Sequence, residues 1–168
     1  MERLWAPWRI KYIKAKKRKA CIFCTNKNYL VFKGRYSLCM LNAFPYNNGH
    51  LMISPLRHVG DIVKLKEGEV LDLFKSLSKA KRVLDIALHP DGYNIGMNIL
   101  ESAGAGIIGH LHLHIVPRWK GDSNFMPVLY NTKIISQSLD ELCLKLIKIC
   151  RKKSLQRNSK IIFLPLMR

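Results

Sequence analysis

Acidic residues are scarce in this sequence: 11 Asp and Glu stand against 29 Lys and Arg among 168 residues, a formal net charge of +18. That balance excludes a surface built for cationic partners and points to polyanions: nucleotides, nucleic acid, phosphate-rich substrates or an anionic membrane surface. Uninterrupted apolar runs of the roughly 18 residues that a membrane-crossing helix needs are absent, so the sequence offers no transmembrane candidate. Internal repeats, low-complexity tracts and Gly/Ser-rich linkers are also missing, which leaves one domain with extensions as the simplest organisation. Met1 to Ile10 holds Trp5, Pro7 and Trp8 but not the long apolar stretch of a secretory signal, so it reads as mature protein. An odd cysteine count, five, without an export signal argues against a disulfide framework and predicts reduced thiols in the cytoplasm.

What is present begins with 48% apolar residues, enough for a real core. The charge gathers at the ends. Lys11, Lys14, Lys16, Lys17, Arg18 and Lys19 lie in a basic N-terminal extension, residues 1–20, and residues 151–168 form a basic C-terminal tail. Both solvated termini and a nucleic-acid arm fit these runs. Cys39 sits in a strand-like run, and Cys143 and Cys150 on the apolar side of a late helix, where core packing explains them. The pair Cys21-Ile22-Phe23-Cys24 is different, and is a metal or redox candidate.

Tyr29 to Phe32 and Arg35 to Met40 predict a hairpin around Lys33-Gly34, and His50 to Ser54 a strand ended by Pro55. Apolar residues at Val70, Leu71, Phe74, Leu77, Leu84 and Leu88 predict a helix from Glu67 to Leu88, stopped by Pro90. Tyr93 to Ile99 and Leu111 to Val116 read as two more strands, the second closed by Pro117. Leu139, Leu142, Leu146 and Ile147 mark a C-terminal helix, with Ser138 and Glu141 at capping-box spacing. Strands interrupted by a helix predict an α+β fold around an antiparallel sheet, carried by residues 21–150.

The chemistry concentrates in one strand. His110, His112 and His114 alternate with Leu111, Leu113 and Ile115, so a strand sends three imidazoles to one face and three aliphatic side chains to the core. Three titratable rings at such spacing would repel if all were charged, and the arrangement suits metal or proton chemistry. Just upstream, Ser102-Ala103-Gly104-Ala105-Gly106 is a loop of small residues able to bring backbone N–H groups close to an anion. Arg118 and Lys120 add positive charge beyond the strand.

His110-Leu111-His112-Leu113-His114-Ile115-Val116 resembles the signature of the histidine triad (HIT) family of nucleotide hydrolases and transferases. The resemblance extends through Cys21 and Cys24, Asn42, the stretch Gly49 to Pro55 and Arg57-His58. Trp5-Ala6-Pro7-Trp8 and Pro117-Arg118-Trp119 resemble the bacterial branch similar to diadenosine tetraphosphate (Ap4A) phosphorylases.

That resemblance implies a HIT-like fold: an antiparallel sheet with a long helix packed on it and a C-terminal helix. It implies that His112 attacks an α-phosphorus and forms a nucleotidyl-histidine intermediate, that His114 stabilises phosphate charge, and that His110 supports the triad. Asn98, Ser102, Gly104, Ala105 and Gly106 are implied to hold phosphate, Asn42 to bind ribose hydroxyls, and His50 to stand near the triad. The implied reaction is nucleotidyl transfer from a dinucleoside polyphosphate to inorganic phosphate or water, with phosphorolysis of Ap4A giving ADP and ATP. A hydrolase of adenosine phosphoramidate type and a nucleic-acid-associated nucleotide-binding module are the alternatives. Zinc-bearing relatives imply a structural Cys₂His₂ zinc on Cys21, Cys24, His58 and His110, beside which a redox pair remains open. Homodimers or tetramers are implied as well. One departure stands out: where family members carry Gly-Gln-Ser or Gly-Gln-Thr before the triad, this chain has Ala105-Gly106-Ile107, so the side chains that touch the leaving phosphates are missing.

Overall fold

The computed structural model describes residues 21–25, 28–122 and 137–157, with side chains through 152. The basic N-terminal extension with its tryptophans, the stretch from Ser123 to Met126 and the tail beyond Arg157 lie outside the described residues. The elements are α1 (Ile22–Thr25), β1 (Leu30–Lys33), β2 (Ser37–Leu41), β3 (Leu51–Pro55), α2 (Glu67–Leu88), β4 (Gly92–Met97), β5 (Leu113–Arg118) and α3 (Leu139–Arg157). A single 3₁₀ turn, Ile62–Lys64, precedes α2. The strands form one antiparallel sheet in the order β1-β2-β3-β5-β4, and the class is α+β.

The predicted hairpin closes through Gly34, where a Cβ would collide with the Asp72 carboxylate and the hydroxyls of Ser37 and Ser76. Asp72, on α2, accepts hydrogen bonds from the Tyr36 N–H at 2.8 Å and the Ser37 hydroxyl at 2.7 Å, so the helix pins the turn. Both faces of β2 and β3 are covered and every residue in them is buried. On one face Cys39, Leu41, Leu51, Ile53, Leu113 and Ile115 pack with α2 and α3. On the other, Leu38, Met40 and Met52 pack under Phe23 of α1. Each such aliphatic side chain removed from water contributes on the order of 2 kcal/mol.

Helix α2 has the bounds its sequence predicts. Glu67 and Glu69 complement the dipole at its start, Glu69 accepts the Lys66 N–H at 2.9 Å, and His89 closes it in the left-handed conformation before Pro90. The buried face includes Leu84, with Leu77 and Leu88 packed against it, but omits the other apolar positions that reveal the helix. Leu73, Ser76, Ala80, Val83, Leu84 and Ala87 face the sheet, whereas Val70, Leu71 and Phe74 are exposed. Small side chains at 76, 80 and 87 let the helix lie close to the sheet. Helix α3 buries Leu142, Cys143, Leu146 and Cys150, and Lys145 Nζ donates to the Ala87 carbonyl at 2.7 Å, joining it to the end of α2. The three cysteines expected in the core are there. Pro117 does not close its strand: β5 runs on to Arg118, because Pro117 pairs with Tyr93 and its carbonyl accepts from Asn47 Nδ2 at 3.0 Å.

Candidate active site and metal centre

The sheet holds His114, the last of the three histidines, at its interior. β5 lies between β3 and β4, with Met52 opposite His114 on one side and Gly96 on the other. The strand expected from Leu111 begins only at Leu113, so His110 and His112 precede β5, on a segment tied by the Leu111 N–H to the Val59 carbonyl at 2.7 Å. Leu111, Leu113 and Ile115 are buried, as the alternation predicts, and His110, His112 and His114 are 0%, 5% and 9% exposed. With so little solvent on them, the rings keep whatever hydrogen-bonding roles the protein gives them.

Those roles follow from the partners. His112 Nδ1 lies 2.9 Å from the carbonyl oxygen of its neighbour His110; a carbonyl only accepts, so Nδ1 carries the hydrogen and Nε2 presents a lone pair. The Tyr46 backbone N–H donates to His50 Nδ1 at 3.0 Å. His50 Nε2 therefore carries the hydrogen and donates to His114 Nδ1 at 2.9 Å, which leaves His114 Nε2 as a donor. His110 Nε2 donates to the Pro55 carbonyl at 2.9 Å, leaving Nδ1 as a lone pair. Along the row, His110 and His112 thus each present a lone pair and His114 presents a hydrogen.

Burial holds all three rings below the ordinary imidazole range; for His114, burial and the neighbouring His112 bring it to about 4. The site is therefore neutral near pH 7. Phe23 covers two of the rings, with centroids 5.1 Å from His110 and 5.0 Å from His112. Tyr46 covers the other end, 4.5 Å from His50 and 5.6 Å from His114.

The lone pair of His110 faces thiols. Cys21 Sγ lies 3.2 Å and Cys24 Sγ 3.5 Å from His110 Nδ1, and Cys24 Sγ is 3.4 Å from His58 Nδ1. The four ligand atoms lie within 4.8 Å of one another. A tetrahedral zinc with bonds of about 2.3 Å to sulfur and 2.0 Å to nitrogen separates its ligands by roughly 3.3 to 3.8 Å, and the contacts of 3.2, 3.4 and 3.5 Å lie close to that spacing. Burial and the adjacent Cys21 raise the Cys24 thiol, which suits a site where a cation, rather than solvent, supplies the charge that makes thiolates.

Residues 25–121 match the HIT domain. The chain belongs to the HIT family. An AP-4-A phosphorylase of Mycobacterium tuberculosis is 35% identical to this HIT protein over 154 residues, covering 83% of this chain and 79% of the relative. With that kinship the chain is an enzyme of the family. A histidine triad nucleotide-binding protein of Sulfolobus tokodaii superposes with a TM-score of 0.64 at 28% identity, covering 84% of this chain and 96% of the other. A Zn-bound histidine triad family protein of Mycobacterium smegmatis shares the fold with a TM-score of 0.61 at 22% identity, over 76% of this chain and 87% of that one.

In this HIT protein the loop between β4 and β5 uses some of its own amides. Gly104 N–H donates to the Glu101 carbonyl at 2.8 Å and Ala105 N–H to that of Leu100 at 3.2 Å, in a turn that needs the positive φ of Gly104. Ser102 and Gly106 are exposed and Asn98 is half-buried. Ile107, where the family pattern has a polar residue, packs against the cluster of Phe23 and Met52. Asn42 is half-buried, its Oδ1 accepting the Phe44 N–H at 2.9 Å and its Nδ2 3.2 Å from His50 Nδ1. Sequence reasoning missed Phe23 and Tyr46. Phe23 lies between the two cysteines, and Tyr46 four residues before His50, positions that become informative only once the rings are seen stacked.

Proposed function

We propose that this enzyme transfers a nucleotidyl group from a dinucleoside polyphosphate through His112, with inorganic phosphate as acceptor. The observation that carries the reading is the bond from His112 Nδ1 to the His110 carbonyl at 2.9 Å, which aims a lone pair out of a water-poor wall. His112 Nε2 attacks the α-phosphorus, an N–P bond forms, and the bond to the bridging oxygen breaks. ATP leaves from Ap4A, taking the electron pair. A phosphate oxygen then attacks the same phosphorus, the N–P bond breaks, and ADP departs with His112 restored. His114 Nε2–H donates to the phosphoryl oxygens, where charge builds. Asn98, Ser102 and the Gly106 amide line the approach to the α-phosphate; Gly104 and Ala105 shape that loop.

The Cys21, Cys24, His58 and His110 group suits a structural zinc, whose four protein ligands leave no open position for water. Bound there, the ion would supply charge for two thiolates and join α1 to the triad approach. The outer edge of β4, with Asn94, Ile95 and Gly96 exposed, supports pairing of two copies into a homodimer. Five free thiols suit a reducing compartment such as the cytoplasm.

The test is incubation of purified protein with Ap4A, with and without phosphate, and chromatography of the products. The reading expects ADP and ATP in equal amounts, dependent on phosphate, and none from His112→Asn. Equal turnover by that variant sinks the mechanism; AMP and ATP regardless of phosphate would assign water as the acceptor.

A further inference from the structure

The ion pair of Arg57 and Glu69 has no part in the chemistry above. Arg57 Nε donates to Glu69 Oε1 at 2.9 Å and its Nη2 to Glu69 Oε2 at 2.7 Å, a two-point fork. The same Nη2 reaches the Lys64 carbonyl at 2.8 Å, and Glu69 Oε2 also accepts the Lys66 N–H at 2.9 Å. The carboxylate is 6% exposed and, with Arg57 as the main cause, ionises at about 2. A helix cap needs only one carboxylate oxygen. Here both oxygens engage Arg57, and that fork binds the loop after β3 to the first turn of α2.

His58 sits in the middle of that loop. On its N-terminal side Arg57 is fixed to Glu69; on its C-terminal side the Val59 carbonyl accepts the Leu111 N–H at 2.7 Å. A Cβ on Gly109 would stand 3.3 Å from His58 Nε2, so the ring lies against the backbone of the triad approach with Nδ1 turned to Cys24. The other three residues of the group are held independently: Cys24 within α1, Cys21 just before it with its carbonyl accepting the Cys24 and Thr25 N–H groups, and His110 by full burial and the Pro55 carbonyl. His58 alone of the four is both exposed and outside a helix or a buried hydrogen bond. Ordering an exposed loop ligand opposes binding, and the groups that orient a ligand govern metal affinity.

We propose that Glu69, acting through Arg57, is a positioning residue for His58, so that the first turn of α2 sets the affinity of the Cys₂His₂ metal group. The inference rests on the zinc reading above and concerns how the site is built.

Zinc affinity, measured by competition with a chromophoric chelator, tests it in the parent, in Glu69→Gln, Arg57→Ala, His58→Ala and His58→Ala with Glu69→Gln, and in a charge swap of the pair with its two halves. Glu69→Gln and Arg57→Ala are expected to weaken zinc by about 10- to 100-fold. In the His58→Ala background, where no ring remains to be positioned, Glu69→Gln is expected to change affinity less than about twofold, because the effect passes through the imidazole. The swap Arg57→Glu with Glu69→Arg is expected to recover part of the loss that either half causes. An equal loss from Glu69→Gln with and without His58 would make the pair a general support of the fold and overturn the proposal. Parent-like affinity in Glu69→Gln and Arg57→Ala would overturn it and leave the zinc reading standing. A parent that takes up no zinc removes that reading and the proposal with it.

Discussion

His50 Nε2 and His114 Nδ1 lie 2.9 Å apart, and the backbone N–H of Tyr46 meets the opposite nitrogen of His50 at 3.0 Å. A backbone amide in a loop thereby decides which nitrogen of a triad histidine carries the proton. His50→Ala leaves His114 free to adopt either tautomer. We expect kcat for Ap4A to fall on the order of 100-fold, as when an oriented donor is lost, with KM changing much less. A variant with parent kcat and a raised KM would show that His50 binds the nucleotide and does not orient the ring.

Phe23→Ala removes the ring that covers His110 and His112. The side chain is 4% exposed and belongs to the cluster of Leu38, Met40 and Met52, so the substitution should cost about 3 kcal/mol of stability. Urea unfolding reads that change. A Phe23→Leu variant should regain most of the stability, and a loss below 1 kcal/mol for alanine would mean that α1 is not packed as described.

Acid should weaken the fold through the histidine row. His114 titrates at about 4 where the unfolded ring has its ordinary value of 6.5, so the unfolded chain binds the proton more readily between these values. The stability this group confers is complete above about 6.5 and is lost as pH falls through the window toward 4. With chelator present to remove any metal contribution, the urea midpoint of the parent should drop more between pH 7 and 4.5 than that of His114→Asn. Parallel curves would contradict the burial of this ring.

Gly49 precedes His50 with φ of 75°, and a Cβ there would run into the side chain of Leu88 and approach Leu84 and Pro117 at 3.2 Å. Gly49→Ala combines a strained backbone with a collision in the core, and should destabilise the protein by roughly 2 to 4 kcal/mol. Gly92→Ala, where a Cβ meets nothing within 4 Å, is the control. Equal melting temperatures for the two variants would contradict the position assigned to the turn before β3.

Much of this was legible in the sequence because the signals are local. Helix α2 announces itself by apolar residues at helical spacing and Pro90 at its end, and the histidine row by a period of two that no helix produces. The metal group was reached through resemblance, since nothing in the spacing of Cys21 and Cys24 names the two histidines that complete it. The Arg57 to Glu69 pair and the Tyr46 amide carry no pattern in the chain; they are single contacts made after strands and helix have packed. Helix α1, Ile22–Thr25, is too short for any period to show. Val70, Leu71 and Phe74 marked α2 correctly as a helix yet lie outside its buried face, which Leu73, Ser76, Ala80, Val83, Leu84 and Ala87 occupy.

The strand that bears His114 also bears Leu113 and Ile115, and the two sets alternate. A slip of one residue in the pairing of β5 with β3 would carry the His114 imidazole into the layer between sheet and helices and turn Leu113 and Ile115 to the face that now bears it. The energy that rejects such a slip comes from the core, far from any substrate. The phasing of His114 is therefore proofread by folding itself: a molecule that has reached its native sheet has, by the same act, set that imidazole in register.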